Sequence, residues 1–230
     1  MHVQAPFEYV RDYYERVQVK NARYPDVAAF WLDALGQIDG LSVLNVGCGP
    51  MFYDNMSHFA RAPERYVGLD FNMSSFDFLR RSDHPHLLEM KARAEAAGTE
   101  TEFVCADIFE CADRFDGQFD SVLGVGFFAT FHGAAFDRLL ALMCRALKPQ
   151  GQLLKITWHG PHRSRDETRD KLRYGYDSPQ EPGPEELVAG FERAGFALRK
   201  QSILNCEPDT IGWDAIQVCL FQNREEGSGA

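Results

Sequence analysis

The sequence predicts an α/β fold in which a doubly wound, mostly parallel seven-stranded sheet has helices on both faces and a helical cap at the N-terminus. Two observations support this prediction. Short apolar runs of strand type alternate with segments of helical spacing, an order that builds parallel sheets. The first such run, residues 42–46, also ends abruptly in Gly47 and Gly49. Two glycines at a strand-to-turn junction allow a ligand to lie directly against the main chain.

Two helical stretches precede the first strand, at residues 7–17 and 26–35, and Tyr24-Pro25 separates them. Each stretch has its apolar residues at helical spacing and therefore presents one apolar face. We expect residues 1–40 to form a cap over the ligand cleft, with the hydroxyl of Tyr14 directed into it. An aromatic stripe packed on the body of the protein explains the same spacing.

The next strands end in acidic residues. Strand 2, residues 66–70, ends in Asp70 about 20 residues past the glycines, where an acid can accept hydrogen bonds from ribose hydroxyls. Strand 3, residues 103–108, contains Asp107. Taken singly, either aspartate is also typical of a strand end or a helix cap.

The second half of the chain continues the alternation. Strand 4 covers residues 119–126, and a turn at residues 148–151 leads into strand 5. A helix between these strands ends before Pro149, and another begins near Pro184 and stops at Gly195. Strands at about residues 196–204 and 215–221 complete the sheet, and residues 223–230 form a polar tail. The apolar face of the first helix contains Phe136, Leu139, Leu140, Met143 and Leu147.

The glycine turn alone has other interpretations. A dinucleotide site has a third glycine three residues after the second, and this chain has Phe52 there. A nicotinamide- or flavin-dependent oxidoreductase is therefore disfavoured. A tight strand-to-helix turn without a ligand is the remaining alternative for this motif.

Taken in order, these motifs resemble those of the class I, Rossmann-like S-adenosylmethionine-dependent methyltransferases of small-molecule type. The resemblance spans about residues 41–220 and rests on the glycine turn, the two strand-end aspartates, the strand at residues 119–122 and the turn at residues 147–151. It implies an antiparallel last strand. The family commonly has an acid where this chain has Asn45, and often a third glycine where it has Met51.

The resemblance implies S-adenosyl-L-methionine as cofactor and S-adenosyl-L-homocysteine as product. By this resemblance, Gly47 and Gly49 face the methionine part of the cofactor and Asp70 its ribose. Asp107 would bind the adenine amino group, and Ile108 would line the adenine. The expected cofactor-binding residues are Tyr14, Gly47, Cys48, Gly49, Pro50, Asp70, Phe71, Asn72, Asp107, Ile108 and Gly124.

Substrate residues are expected in the loops after strands 4 and 5, because ligands of such sheets bind at the carboxyl edge. After strand 4, Phe127 and Phe128 would form an apolar wall beside the transferring methyl group or pack in the core. After strand 5, Trp158 and His159 lie at the strand end. We expect Arg163 to bind an anionic group of the substrate. A solvated, salt-bridged helix is the alternative for the charged segment that contains Arg163.

A general base is needed only if the acceptor atom carries a proton at the working pH. His159 and His132 are the expected candidates, and a position at a helix start or on the surface is the alternative for His132. For an in-line displacement the protein chiefly aligns the reactants and excludes water.

Composition narrows the class of partner. The 230 residues carry a formal net charge of −10, which disfavours nucleic acid as substrate. No apolar run of spanning length and no signal peptide are found, so we expect a cytoplasmic monomer or homodimer without a membrane partner. The six cysteines form no Cys-x-x-Cys pair, so we expect buried thiols and no metal site.

The sequence therefore predicts that a domain at residues 41–222 transfers a methyl group in line to an N, O or S atom of a small metabolite, such as an intermediate of secondary metabolism. Two interpretations of the same motifs remain open. One is transfer of a different group of the cofactor, such as its aminocarboxypropyl group. The other is a protein that binds the cofactor without catalysis.

Overall fold

The computed structural model describes residues 4–38, 40–159, 183–206 and 214–224. Its strands are β1 (Ser42–Val46), β2 (Arg65–Asp70), β3 (Glu100–Cys105), β4 (Phe119–Val125), β5 (Leu147–His159), β6 (Phe196–Asn205) and β7 (Ala215–Asn223). They form one sheet in the order β3-β2-β1-β4-β5-β7-β6. Strands β1 to β5 pair in parallel, and β7 is antiparallel to both β5 and β6. The predicted fold class and the antiparallel last strand are confirmed.

Helices connect most of these strands. They are α1 (Phe7–Arg23), α2 (Pro25–Leu35), α3 (Phe52–Ser57), α4 (Met73–Arg81), α5 (Pro85–Ala96), α6 (Ile108–Cys111), α7 (Gly133–Ala146) and α8 (Pro184–Arg193). Short 3₁₀ turns cover Gly49–Met51, Ala112–Phe115 and Phe128–Thr130. Helix α1 continues beyond its predicted end at residue 17 and stops at Arg23. It stops there because Tyr24 precedes a proline, which disfavours helical backbone angles, and has a φ of −126°.

The sheet separates two apolar layers. One layer packs residues of α1 to α5 against one face, and it includes Tyr14, Trp31 and Leu35. The other packs α6, α7 and α8 against the opposite face, where four of the five residues predicted for the apolar face of α7 are buried in it, with Ala146 in addition. The fifth, Leu147, is buried too but begins β5, which starts before the turn predicted at residues 148–151. The N-terminal helices therefore share a core with the sheet.

The third-glycine position of the turn is part of this core. Phe52 is fully buried, and its ring centroid lies 4.4 Å from that of Tyr66 and 4.5 Å from that of Phe103. Space for the ring comes from Gly68 in β2, where an added Cβ would lie 2.5 Å from the Phe52 ring and 2.9 Å from the sulfur of Cys48. A glycine in the strand thus compensates for a phenylalanine in the turn.

This contact predicts the effect of substitution at Gly68. Because the new methyl group would overlap the Phe52 ring, we expect Gly68→Ala to lower the free energy of unfolding by about 1–3 kcal/mol, measured by urea denaturation. The double variant with Phe52→Leu should lose less than the sum of the two single variants, since the smaller side chain relieves the overlap. Strict additivity of the two losses would contradict this account.

Candidate active site

The glycine turn is anchored to the end of the neighbouring strand. Gly47 and Gly49 have φ angles of +62° and +50°, a region that favours glycine. The backbone N–H groups of Gly47 and Cys48 both donate to the carbonyl oxygen of Leu69, at 2.8 and 3.3 Å. The turn therefore lies at the carboxyl edge of the sheet, directly beside Asp70.

Asp70 binds two backbone segments at once. Its Oδ2 accepts a hydrogen bond from the N–H of Gly49 at 2.9 Å, and its Oδ1 accepts one from the N–H of Asn72 at 2.8 Å. The carboxyl is buried, with 5% of the residue exposed. Burial raises the pKa of Asp70 to about 6, although the backbone N–H groups partly oppose that rise. The structure thus maintains a charged acceptor at the edge without a cationic partner in the described part of the chain.

The loop after β2 joins the N-terminal segment to this edge. Asn72 is buried and caps α4 by accepting from the N–H of Ser74 at 3.2 Å. The side chain of Gln4 donates to the carbonyl oxygen of Phe71 at 2.7 Å and accepts from the N–H of Met73 at 2.8 Å. The chain before α1 therefore lies against the loop that contains Phe71 and Asn72, two of the residues predicted to bind the cofactor.

Asp107 and Ile108 follow β3 at the same edge, because the strand covers Glu100–Cys105 and not residues 103–108 as predicted, and Ile108 begins α6. The N–H of Ala106 donates to the carbonyl oxygen of Asp70 at 3.1 Å, which holds the ends of β2 and β3 together. Asp107 is half-buried, and its Oδ1 accepts from the N–H of Phe109 at the start of α6. Ile108 is buried in the core. Helix capping, the alternative interpretation of Asp107, is therefore observed. Its contact with adenine stays a prediction.

Three side chains of the first strand and its turn are buried. Cys48 packs beside Gly68, and burial strongly raises the pKa of its thiol, which fits a packing role. Pro50 lies buried in the 3₁₀ turn. Asn45, at the position where the family commonly has an acid, donates through Nδ2 to the hydroxyl oxygen of Tyr66 at 2.8 Å. Its Oδ1 is buried and has no partner among the described residues.

The two phenylalanines after β4 have different environments. Phe128 is fully buried, and its ring packs against Gly124 and lies 5.2 Å from the ring of Phe191 in α8. The Phe127 ring lies over Gly47, where it would be 2.3 Å from an added Cβ. Phe128 thus has the core position that the sequence left open, whereas Phe127 contacts the glycine turn itself.

Tyr14 is fully buried in α1 and packs 5.1 Å from the ring of Phe78. Its hydroxyl donates to Oδ1 of Asp54 at 3.2 Å, an oxygen that Gln18 and His86 also contact at 2.6 and 2.9 Å. The alternative of an aromatic stripe packed on the body is therefore observed. A cofactor contact by Tyr14 stays a prediction.

The end of β5 carries two of the predicted substrate residues. Trp158 packs 6.0 Å from Trp31 and beside Gly126. His159 is buried on the opposite face, and its Nε2 lies 3.0 Å from Oε1 of Gln217 in β7. Burial, followed by repulsion from Lys155, lowers the pKa of His159. Arg163 lies outside the described residues.

His132, the other candidate base, lies at the N-cap position of α7 and is half-buried. Its Nε2 is a buried atom without a hydrogen-bond partner in the described part of the chain. The position at a helix start is confirmed. Its role as a base stays a prediction.

The sequence interpretation missed Lys155 and Gln217. Lys155 is fully buried, and its Nζ donates to Oε1 of Gln217 at 2.5 Å. The signal was the polar alternation Lys155, Thr157 and His159, which gives one face of a central strand an unusual polarity.

Within the described residues, no group of three or more His, Cys, Asp and Glu side chains is arranged to hold a metal ion. The same part of the chain contains no helix of the length and apolarity that a membrane crossing requires.

The raised pKa of Asp70 predicts a pH-dependent stability. Between the unfolded value of 3.8 and about 6, the folded protein retains a proton that the unfolded chain has released, so rising pH lowers the free energy of unfolding. Asp70→Asn has no group that titrates there. We therefore expect the stability of this variant relative to the wild type to increase by up to about 3 kcal/mol between pH 4 and 7, measured by urea denaturation.

Asp137→Asn, at an exposed position of α7, is the matched control for replacing a carboxylate by an amide away from the sheet edge. A stability difference for Asp70→Asn that is constant with pH, or that shrinks as pH rises, would contradict the assigned cause.

Comparison with known proteins extends this description. Residues 43–151 match the family model described as "Methyltransferase domain". A search of curated proteins finds no match. Among solved structures, a protein from work on the conversion of a disulfide bond into a thioacetal group during echinomycin biosynthesis is 20% identical, with a TM-score of 0.59 over 87% of this chain and 83% of that one.

Two bacterial proteins have the same architecture. An S-adenosylmethionine-dependent methyltransferase from Mesorhizobium loti is 17% identical, with a TM-score of 0.56 over 86% of this chain and 99% of that one. The N-methyltransferase NodS from Bradyrhizobium japonicum WM9, in complex with S-adenosyl-L-homocysteine, is 13% identical, with a TM-score of 0.55 over 89% of this chain and 87% of that one. The sheet order and these neighbours show the Rossmann-like fold of class I methyltransferases, and residues 43–151, which contain the glycine turn, match a methyltransferase domain.

Proposed function

We propose that this protein transfers the methyl group of S-adenosyl-L-methionine to an N, O or S atom of a small metabolite. The observation that carries the proposal is the buried carboxylate of Asp70, which the N–H of Gly49 holds beside the glycine turn. A nucleoside ligand needs such an acceptor for its ribose hydroxyls and a main-chain surface without side chains beside it.

The described residues fit this cofactor. Asp70 and Asp107 lie at the ends of adjacent strands, which the hydrogen bond from Ala106 to Asp70 holds together. Gly49 offers an open main-chain surface next to them, since an added Cβ there would meet only Oδ2 of Asp70 at 4.0 Å, and Gly47 lies beside it under the Phe127 ring. When bound, S-adenosylmethionine supplies a methyl group already activated by a positively charged sulfur, so the protein needs no covalent intermediate. Its task is to align the reactants and exclude water.

The environment of Phe52 argues against a dinucleotide. The third glycine of a dinucleotide fingerprint allows close packing of the first helix on the strand. Here that position is a fully buried phenylalanine in an aromatic cluster. A nicotinamide cofactor is therefore less well supported than a sulfonium nucleoside.

A small acceptor is supported by charge and by the structural neighbours. The formal net charge of −10 disfavours nucleic acid. The echinomycin-related neighbour comes from work on a biosynthetic conversion of a disulfide bond, and NodS is an N-methyltransferase. Transfer of an aminocarboxypropyl group would use the same cofactor contacts, so mass spectrometry of the product distinguishes it from methylation.

Calorimetry of S-adenosyl-L-methionine and S-adenosyl-L-homocysteine tests the cofactor assignment. We expect both to bind, and Asp70→Ala to weaken binding roughly 10- to 100-fold, because hydrogen bonds to a charged group contribute about 1.5–3 kcal/mol. Asp137→Ala, at an exposed site on α7, should bind like the wild type. Binding of NADH or NADPH alone, or equal affinity of the Asp70→Ala variant, would overturn the proposal.

The titration of Asp70 predicts a pH dependence of that affinity. Protonation below a pKa of about 6 removes the charge that strengthens bonds from the ribose hydroxyls. The affinity for S-adenosyl-L-homocysteine should therefore be level above pH 7 and fall by up to about tenfold per pH unit below 6. In Asp70→Ala this fall should disappear, and its persistence there would assign the titration to another group.

A further inference from the structure

A row of polar side chains crosses one face of the sheet between β5 and β7. Thr157 pairs directly with Gln217 in the antiparallel register, and Lys155 and His159 lie two residues to either side of Thr157. These four side chains therefore share a face, which we call the β5–β7 polar row. Lys155, Thr157 and Gln217 are at most 1% exposed and His159 is 7% exposed. Burying polar groups in a central strand is unfavourable for stability, so folding alone does not explain them.

Hydrogen bonds determine the orientation of the Gln217 amide. Its Nε2 donates to the carbonyl oxygen of Pro184 at 3.2 Å, and its Oε1 faces both Lys155 Nζ and His159 Nε2, at 2.5 and 3.0 Å. The reversed amide would place two oxygens together and direct its NH₂ group at an ammonium. Because Oε1 can only accept, Nε2 of His159 must carry the proton. In the neutral imidazole, Nδ1 is then the nitrogen with the free lone pair.

Charges around the row keep that imidazole neutral near pH 7. In the described part of the chain no carboxylate forms an ion pair with Lys155, whose pKa burial lowers only to about 8. Lys155 therefore stays mostly cationic and, after burial, is the main cause of the lowered pKa of His159. The other titratable groups nearby are the buried thiol of Cys219, Asp214 before β7, and the exposed carboxylates of Glu185 and Glu186 on α8.

The row lies at the edge of the sheet that the proposed function uses. The last pair between β4 and β5 is Val125 with Ile156. His159 lies three residues further along β5. It is therefore roughly 10 Å from that last pair, in the direction of the carboxyl edge. The loop that begins at Gly126 leads from the same edge to Phe127, which contacts the glycine turn.

We propose that Nδ1 of His159 is the general base of this enzyme, that Gln217 and Lys155 position and tune it, and that the methyl acceptor is a hydroxyl group. The inference rests on the proposed function. The proton leaves the acceptor oxygen for Nδ1, and an oxygen lone pair forms the new bond to the methyl carbon. The electron pair of the broken carbon–sulfur bond stays on sulfur as a neutral thioether, and the proton later passes from the imidazole to water.

The charge of the row favours a hydroxyl over an ammonium acceptor. An ammonium would bring a second positive charge towards Lys155, which is unfavourable in a buried environment. An oxygen that loses its proton instead develops negative charge. The row contributes the ammonium of Lys155 and the buried hydroxyl of Thr157, which has no partner among the described residues. Both can stabilise that negative charge.

Nitrogen-15 NMR of the histidine rings tests the tautomer and the pKa in the protein without any ligand. His159→Gln identifies the His159 signals among the seven histidines. We expect protonation at Nε2 and a pKa below the ordinary 6.5. Lys155→Met should raise that pKa by about one unit, because a like charge is removed. Gln217→Leu should abolish the preference for the Nε2 proton.

His86, a partly exposed imidazole beside Asp54 in a different part of the molecule, is the internal control, and the positions of its ring signals should not differ between the wild type and the variants at a given pH. Lys155→Met replaces a buried charge with an apolar side chain of similar length, which favours folding. The wild-type tautomer needs no variant. Protonation of His159 at Nδ1, or an unchanged pKa in Lys155→Met, would overturn the inference.

A panel of acceptors in matched pairs, each a phenol and the corresponding benzylic amine, tests the acceptor class. We expect methylated product from phenol members alone. Methylation of amine members, or of no phenol member, would overturn the assignment of a hydroxyl acceptor. Binding of S-adenosyl-L-homocysteine to the wild type tests the cofactor assignment of the proposed function separately, so the two proposals can fail independently.

Discussion

The carboxylate of Asp70 is the interaction on which the carboxyl edge of the sheet depends. Through Gly49 it holds the turn after β1, and through Asn72 it holds the loop that begins α4. The backbone of the same residue receives the N–H of Ala106 and so aligns the end of β3. These contacts use backbone N–H groups rather than a cationic side chain. Within the described residues, therefore, no ion pair neutralises the negative charge of this carboxylate.

The two faces of the sheet bury different kinds of side chain. On the face covered by α1 to α5, the rings of Phe52 and Tyr66 pack together in the core next to the glycine turn. On the opposite face, the ammonium of Lys155 and the imidazole of His159 are buried, and both contact the amide oxygen of Gln217. The first arrangement contributes stability through apolar burial, whereas the second opposes it. That contrast is typical of a protein in which function is retained at some expense to folding.

Local sequence patterns predicted the succession of strands along the chain, the glycine turn and the place of Asp70 at the end of β2, because each depends on residues close together in the chain. Long-range partners were not predictable in this way. Lys155 and Gln217 are 62 residues apart and meet only through antiparallel pairing, and Tyr14 finds Asp54 at a separation of 40 residues. Phe127 and Phe128 are adjacent, yet the 3₁₀ turn sends one ring to the glycine turn and the other into the core.

The packing of Phe52 against Gly68 has an evolutionary consequence. The two positions share one volume, so a lineage can enlarge the side chain at one only where the other is small. Descendants of a common ancestor should therefore change them in step, and a chain with glycine in the turn is free to have a branched residue in β2. The phenylalanine at the position where a dinucleotide site has its third glycine is then one half of a compensated pair, and the other half lies in a strand that carries no motif.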